Sequence, residues 1–112
     1  MLDTRTVERY FESLRIIIER RDIGTMLKLL AEDVQGTDLE GRAINSRKEL
    51  LDSYKALPSD CSIIGTKIRA EGEAVMADFE ATSESLPSPL RGSIRFVLEG
   101  ATIKELEVAP RP

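Results

Sequence analysis

Histidine and tryptophan are absent from this 112-residue chain, and cysteine occurs once. Without histidine the chain lacks the commonest metal ligand and the side chain most often used as acid or base near neutral pH. Every serine or cysteine triad that depends on an imidazole base is excluded. Cys61 has no partner for an internal disulfide and no second thiol with which to form a ligand pair. It reads as a small buried apolar residue, with a reactive thiol as the lesser alternative. No metal and no cofactor are expected. Aromatic residues make up 4% of the chain, which leaves few flat surfaces for gripping a polycyclic ligand, so a small or aliphatic one is easier to accommodate.

Long apolar runs are missing too, and residues 1–10 are charged, with no apolar stretch before a small-residue cleavage site. The expectation is a cytoplasmic protein that does not engage a membrane. No Pro, Gly or Ser-rich stretch divides the chain, so residues 1–112 read as one domain, long enough to bury a core without disulfides or metals. The formal charge is −4 and the pI near 4.9. Basic residues are scattered, the densest pairs being Arg20 with Arg21 and Arg47 with Lys48. That distribution argues against nucleic acid as a partner.

What is present is periodic. Val7, Tyr10, Phe11, Leu14, Ile17 and Ile18 recur at spacings of three and four over residues 4–20, one stripe of an amphipathic helix that Asp3 or Thr4 can cap. Asp22 then offers a fresh N-cap. Ile23, Met26, Leu27, Leu30 and Val34 continue an apolar stripe over a second, shorter helix that Gly24 weakens, and residues 34–38 read as a short extended piece running into a turn at Leu39, Glu40 and Gly41. Ser46 followed by Glu49 is a capping box, and Leu50, Leu51, Tyr54 and Leu57 give the third helix its apolar face before Pro58 stops it.

From Cys61 the period becomes two. Ile64, Thr66, Ile68 and Ala70 alternate with Cys61, Ile63, Gly65, Lys67 and Arg69, and a turn at Glu71, Gly72 and Glu73 leads into a strand with Val75, Ala77, Phe79 and Ala81 on one face. Residues 86–89 form a proline-bearing loop. Leu90, Gly92, Ile94, Phe96 and Leu98 then share a face, Gly100 closes a second hairpin, and residues 102–109 form the last strand. Helices in a run followed by strands in a run make an α+β domain, with helices on one face of a mainly antiparallel sheet. Leu14, Leu27, Leu30, Phe79 and Phe96 are expected to be buried. Asp78 and Glu80 on one strand face Arg91 and Arg95 on the next, as a solvated or dimer-facing surface would.

The stretch R-R-D-I-G-T-M-L-K-L-L-A-E-D-V-Q-G-T-D-L-E-G-R, followed by S-R-K-E-L-L-D-S-Y, resembles the nuclear transport factor 2-like (SnoaL-like, ketosteroid isomerase-like) superfamily. The resemblance implies three N-terminal helices on a strongly curved sheet, a cone-shaped α+β barrel with a pocket between helices and sheet, and a homodimer formed through the sheet. It places Asp38 where ketosteroid isomerases carry their proton-shuttling carboxylate, and Tyr54 where a supporting pocket tyrosine lies. Tyr10 resembles the helix-one tyrosine that donates to the oxyanion, but stands about one extra helical turn before Asp22. The ligand would contact Tyr10, Leu14, Leu30, Tyr54, Phe79 and Phe96.

The second oxyanion donor of that family would fall near Ile94, which has nothing to donate. Losing one such donor costs about a hundredfold to a thousandfold in rate, which argues against steroid isomerisation. The sequence reading is therefore a small-molecule-binding domain without established chemistry. The alternative is a cofactor-free isomerase or cyclase-like enzyme using Asp38 as general base on a small apolar carbonyl compound. The first reading of Asp38 itself is a turn residue organising T-D-L-E-G, since aspartate readily bonds nearby backbone in turns.

Overall fold

The computed structural model describes residues 4–111, in the order α1 (Thr4–Arg20), α2 (Gly24–Leu29), β1 (Leu30–Thr37), β2 (Ala43–Ile44), α3 (Arg47–Lys55), β3 (Ser62–Glu71), β4 (Ala74–Thr82), β5 (Leu90–Glu99) and β6 (Thr102–Arg111). Asp3, one of the two expected caps of the first helix, lies outside the described residues. The strands form one curved sheet in the order β2-β1-β6-β5-β4-β3. Neighbours are antiparallel except β1 and β6, which run parallel. The sheet curves without closing, and α1 packs across β3 and β4 while α3 packs on β1.

The apolar stripe of α1 is buried as its spacing predicts, with Val7, Tyr10, Leu14 and Ile17 fully out of solvent. Arg21 ends the helix with a left-handed backbone (φ 56°), and its N–H returns to the Ile17 carbonyl at 2.8 Å. The Arg21 guanidinium also donates to the carbonyls of Lys55 and Leu57, both at 2.9 Å. One residue thus terminates α1 and caps the electronegative end of α3. The Ser46 half of the capping box forms, its Oγ accepting the Glu49 N–H at 3.2 Å, while the Glu49 carboxylate reaches one residue past the cap to accept the Asn45 N–H at 2.8 Å.

The second helix is shorter than its apolar stripe implies. The N-cap position falls to Ile23 and not to Asp22, which accepts the Gly24 N–H at 2.9 Å from one residue earlier; the helix stops at Leu29, and Leu30 and Val34 belong to β1. A spacing of four keeps two residues on one side of a strand as well as on one side of a helix, so Leu30 and Val34 are buried in either conformation. Pairing with β6 decides for the strand. Leu27, expected in the core, is 38% exposed, because the six-residue helix turns Met26 and Leu29 inward instead.

The pairing of β1 with β6 shifts register between Leu30 and Gln35, and bulges interrupt the strict alternation of β3 and β6 as well. One extra residue enters β3 between Thr66 and Arg69, where Lys67 has φ 51°, and another enters β6 opposite Val97 and Leu98. Across the first bulge the inward positions pass from Ile63 and Gly65 to Ile68, leaving Ile64 58% exposed. Bulges bend the bulged strand and increase its twist, and this curves the sheet around α1. Gly65 pairs with Phe79 across the β3–β4 ladder and admits the Phe11 ring, which any Cβ there would meet. On the outer face Glu80 pairs with Arg91 at 2.6 Å, whereas Asp78 is met by Arg69 at 3.4 Å.

Phe96 is fully buried and touches both Tyr10 and Phe11 edge-on, at ring centroid distances of 5.0 and 6.3 Å. Phe96→Ala is expected to cost about 3–5 kcal/mol through lost transfer energy and a cavity. Leu27→Lys should stay within about 0.5 kcal/mol of the parent, as exposed substitutions do. Urea unfolding of both variants checks the pair, and equal effects would mean the two environments are misassigned.

Candidate ligand-binding site

β1 delivers the site residues through Gly36, which lies between Ile44 of β2 and Leu106 of β6. Its φ of 138° suits glycine, and any Cβ there would overlap the Leu106 carbonyl. Thr37 is tied to β6 by its hydroxyl, which accepts the Val108 N–H at 2.8 Å. Asp38 follows and closes the turn into β2. Its N–H donates to the Arg42 carbonyl at 2.8 Å, and its carbonyl accepts the Gly41 N–H at 3.0 Å. Oδ1 accepts the N–H groups of Glu40 and Arg42, both at 2.9 Å, while Oδ2 faces Arg42 Nε at 3.3 Å. The side chain is 94% buried by these contacts, its relative exposure being 6%.

Tyr10 from α1 and Tyr54 from α3 meet in the interior with their hydroxyls 2.6 Å apart. Burial pushes the Tyr10 phenol well above its ordinary pKa, with the Tyr54 hydrogen bond pulling the other way. Burial likewise raises Tyr54, followed by the charge and hydrogen bond of Tyr10 and then by the negative charge of Asp38. Both remain neutral phenols across the physiological range. Tyr54 therefore stands between the other two polar residues singled out from the sequence, bonded to Tyr10 and within electrostatic reach of Asp38.

Between Asp38, Ser53, Tyr54 and Leu57 there is a void of about 10 Å³, room for roughly one water molecule. Leu14, Leu30, Phe79 and Phe96 belong to the same buried cluster as the two tyrosines. Ile94 is fully buried on the inner face of β5, pairing with Ala77 and Val108.

An open cleft of about 330 Å³ lies beyond the void and shares Leu39, Glu40 and Leu57 with it. Its walls are mostly aliphatic: Leu39 from the turn, Leu57 after α3, Ile63 of β3, Ala81 of β4, Leu86 of the loop and Leu90 of β5. Cys61 is half-buried in the wall, and its thiol is raised, first by burial and then by the adjacent Asp60. A raised thiol is a poor nucleophile. Asp60 anchors the rim, accepting the Glu84 N–H at 2.7 Å and the Ser83 hydroxyl at 3.1 Å, and these bonds hold its carboxyl below the usual range.

None of the six expected ligand contacts lines this cleft. Its wall comes from turns and strand ends, where sequence periodicity carries no signal; Leu86 and Leu90 flanking the Pro87 and Pro89 loop were the one available cue. Among the described residues no three carboxylate or thiol groups come together as metal ligands, and no helix is long and apolar enough to cross a membrane.

Solved structures with a similar fold include a candidate ketosteroid isomerase from Kribbella flavida DSM 17836, 18% identical, with a TM-score of 0.78 over 97% of this chain and 77% of that one. A candidate polyketide cyclase from Sinorhizobium meliloti is 16% identical, with a TM-score of 0.78 over 96% of this chain and 100% of the other. An NTF2-like protein of unknown function from Cytophaga hutchinsonii gives 16% identity and a TM-score of 0.75 over 100% and 93%. The chain has the nuclear transport factor 2-like fold. No protein-family model and no curated protein sequence matches it. Likeness at these identities concerns the NTF2-like fold alone, a fold that hosts unrelated activities.

The tyrosine pair gives a pH test. An unfolded tyrosine ionises near pH 10, while the folded phenols hold their protons longer. Above about pH 10 the unfolded state therefore binds fewer protons than the native state, and stability falls as pH rises. The chain has two tyrosines, so phenolate absorbance should stay flat in alkali until the protein unfolds, then appear with the loss of circular dichroism. A phenolate signal preceding unfolding would place at least one hydroxyl in water.

Proposed function

We propose that the chain is a small-molecule-binding domain that seats an uncharged aliphatic ligand in the cleft between the Leu39 turn, the end of α3 and the Leu86 loop, without acid–base chemistry. The observation that carries this reading is the engagement of Asp38: both carboxylate oxygens serve the turn, through two backbone N–H groups and Arg42. A cleft of about 330 Å³ falls at the small end of the range that takes small ligands. The rim near it carries Glu40, Asp60 and Glu84, which disfavours an anionic head group.

A second reading keeps Asp38 as general base on a small apolar carbonyl compound. It is favoured by the void shared by Asp38 and Tyr54 opening beside the cleft, so that a ligand reaching past Leu39 and Leu57 would approach the carboxylate.

A medium-chain aliphatic ketone tests both. On the binding reading, amide shifts in NMR titration move at Leu39, Leu57, Ile63 and Leu90, and Leu86→Lys weakens binding by about tenfold, or 1.4 kcal/mol. Deuterium exchange from solvent into the carbon beside the carbonyl stays at the uncatalysed rate. Asp38→Asn then lowers stability by about 1–2 kcal/mol, as loss of charge-assisted bonds does, with little effect on affinity. Protein-dependent exchange that Asp38→Asn abolishes would replace this reading with the second. Saturation at neither the cleft nor the void would remove both.

A further inference from the structure

The six-residue α2 leaves Leu27 out of the core, and the side chain borders an open trough of about 430 Å³ between α2 and α3. Ile23 and Leu51 line the same trough. Ile23 and Leu27 stand four residues apart, as do Arg47, Leu51 and Lys55, and a spacing of four repeats one face of a helix. The trough therefore runs between an aliphatic edge of α2 and an edge of α3 on which a leucine is flanked by two cations.

The charges along it do not cancel. Lys48 and Lys55 share one carboxylate, Asp52, at 3.0 and 3.5 Å. Arg47 faces Glu32 at 3.7 Å through Nη2, while Nη1 reaches the Leu27 and Leu30 carbonyls at 3.4 and 3.5 Å. A guanidinium closed on its partner makes charge-assisted bonds of about 2.7–2.9 Å, and each of these contacts is longer. The Glu32 side chain is 87% exposed and that of Arg47 28%, so a largely buried cation is met by a carboxylate that water screens. Three cations against two carboxylates leave the trough one positive charge, in a chain whose formal charge is −4. Arg47 and Lys48 also stand in the first turn of α3, where the helix's own partial positive charge disfavours cations.

We propose that this trough binds a small organic monoanion, a carboxylate on an aliphatic body, with its head on the Arg47 guanidinium and its body along Ile23, Leu27 and Leu51. The planar fork of Arg47 matches two carboxylate oxygens, whereas Lys48 and Lys55 are engaged with Asp52. Displacing Glu32 is cheap, because an exposed ion pair contributes little. One negative charge neutralises the surplus. A phosphate group, at about −1.5 to −2 near neutral pH, would exceed it and set its excess charge against Glu32 and Asp52. An uncharged ligand would leave the Arg47 fork unmatched. The site shares no lining residue with the Leu39 cleft and does not depend on the reading of that cleft.

NMR titration of the whole chain with octanoate at neutral pH is the test, with 1-octanol and octyl phosphate as comparisons. Octanoate should shift the amides of Leu27, Arg47 and Leu51 saturably, and more weakly as salt is raised. Arg47→Gln, which removes the charge-assisted bonds, and Leu27→Glu, which sets a like charge beside the head, should each weaken it about tenfold or more. Lys28→Gln, exposed on α2 outside the trough, should leave it unchanged. Circular dichroism should show the variants folded, and Leu27→Glu, at an exposed position, decides the matter if Arg47→Gln does not fold. Octanoate shifts confined to Leu86 and Leu90, or no saturation at all, overturn the proposal. So does 1-octanol binding the trough as tightly as octanoate, the result expected of a merely apolar surface, or octyl phosphate binding it more tightly, the result expected of a site for a more highly charged anion.

Discussion

The hydroxyls of Tyr10 and Tyr54 meet 2.6 Å apart inside an apolar interior, and the seating of the helices on the sheet depends on that meeting. A hydroxyl buried without a partner costs on the order of 2–7 kcal/mol. Two that satisfy each other avoid the penalty and leave their rings free to fill space. One hydroxyl comes from α1 and the other from α3, so the bond fixes the separation of the two longer helices. Phe96 stands edge-on to Tyr10 from the sheet side, which transmits that separation to β5. Beyond the C-terminus of α1, Arg21 reaches the carbonyls closing α3, one and three residues after Tyr54.

A filled interior moves the available concavity outward. The bulges in β3 and β6 curl the sheet around α1, and the curled ends of β3, β4 and β5 come near the Asp38 turn and the segment after α3. Leu39, a member of the buried cluster, and Leu57 and Leu90, packed against it, line an open cleft at the edge of the core. Asp60 keeps the opposite rim in place by tying residues 83 and 84 back to the start of β3.

Local signals were legible where a local cause fixes the structure. The α1 stripe, the Ser46 and Glu49 box and the two hairpin turns each depend on residues within a few positions of one another, and each is found where the sequence puts it. The Leu30 and Val34 pair was ambiguous in principle, because helix and strand give the same burial at a spacing of four. Only the parallel pairing of β1 with β6, some seventy residues away along the chain, resolves it. The bulge at Lys67 was hidden for a related reason: alternation in K-I-R-A-E continues in the letters although the strand has slipped by one residue. The cleft was illegible because its wall is assembled from segments that share no periodicity.

Asp38 shows why a family pattern can locate a residue without assigning its work. The segment T-D-L-E-G-R needs an aspartate at its second position to hold the backbone turn: Oδ1 receives the N–H groups of Glu40 and Arg42, and Oδ2 faces the Arg42 guanidinium. That requirement belongs to the turn and is the same whether or not a ligand ever approaches the carboxylate. An aspartate in this place therefore carries information about the path of the chain from β1 to β2, and much less about proton transfer. Positions free of any backbone duty are the informative ones. Ile94 is such a position: its side chain is fully buried on the inner face of β5 and closes no turn. An acid there would have to be held by a partner or a ligand, because a buried carboxyl without one is costly. The isoleucine needs neither, and its place in the apolar cluster ties this part of the interior to packing.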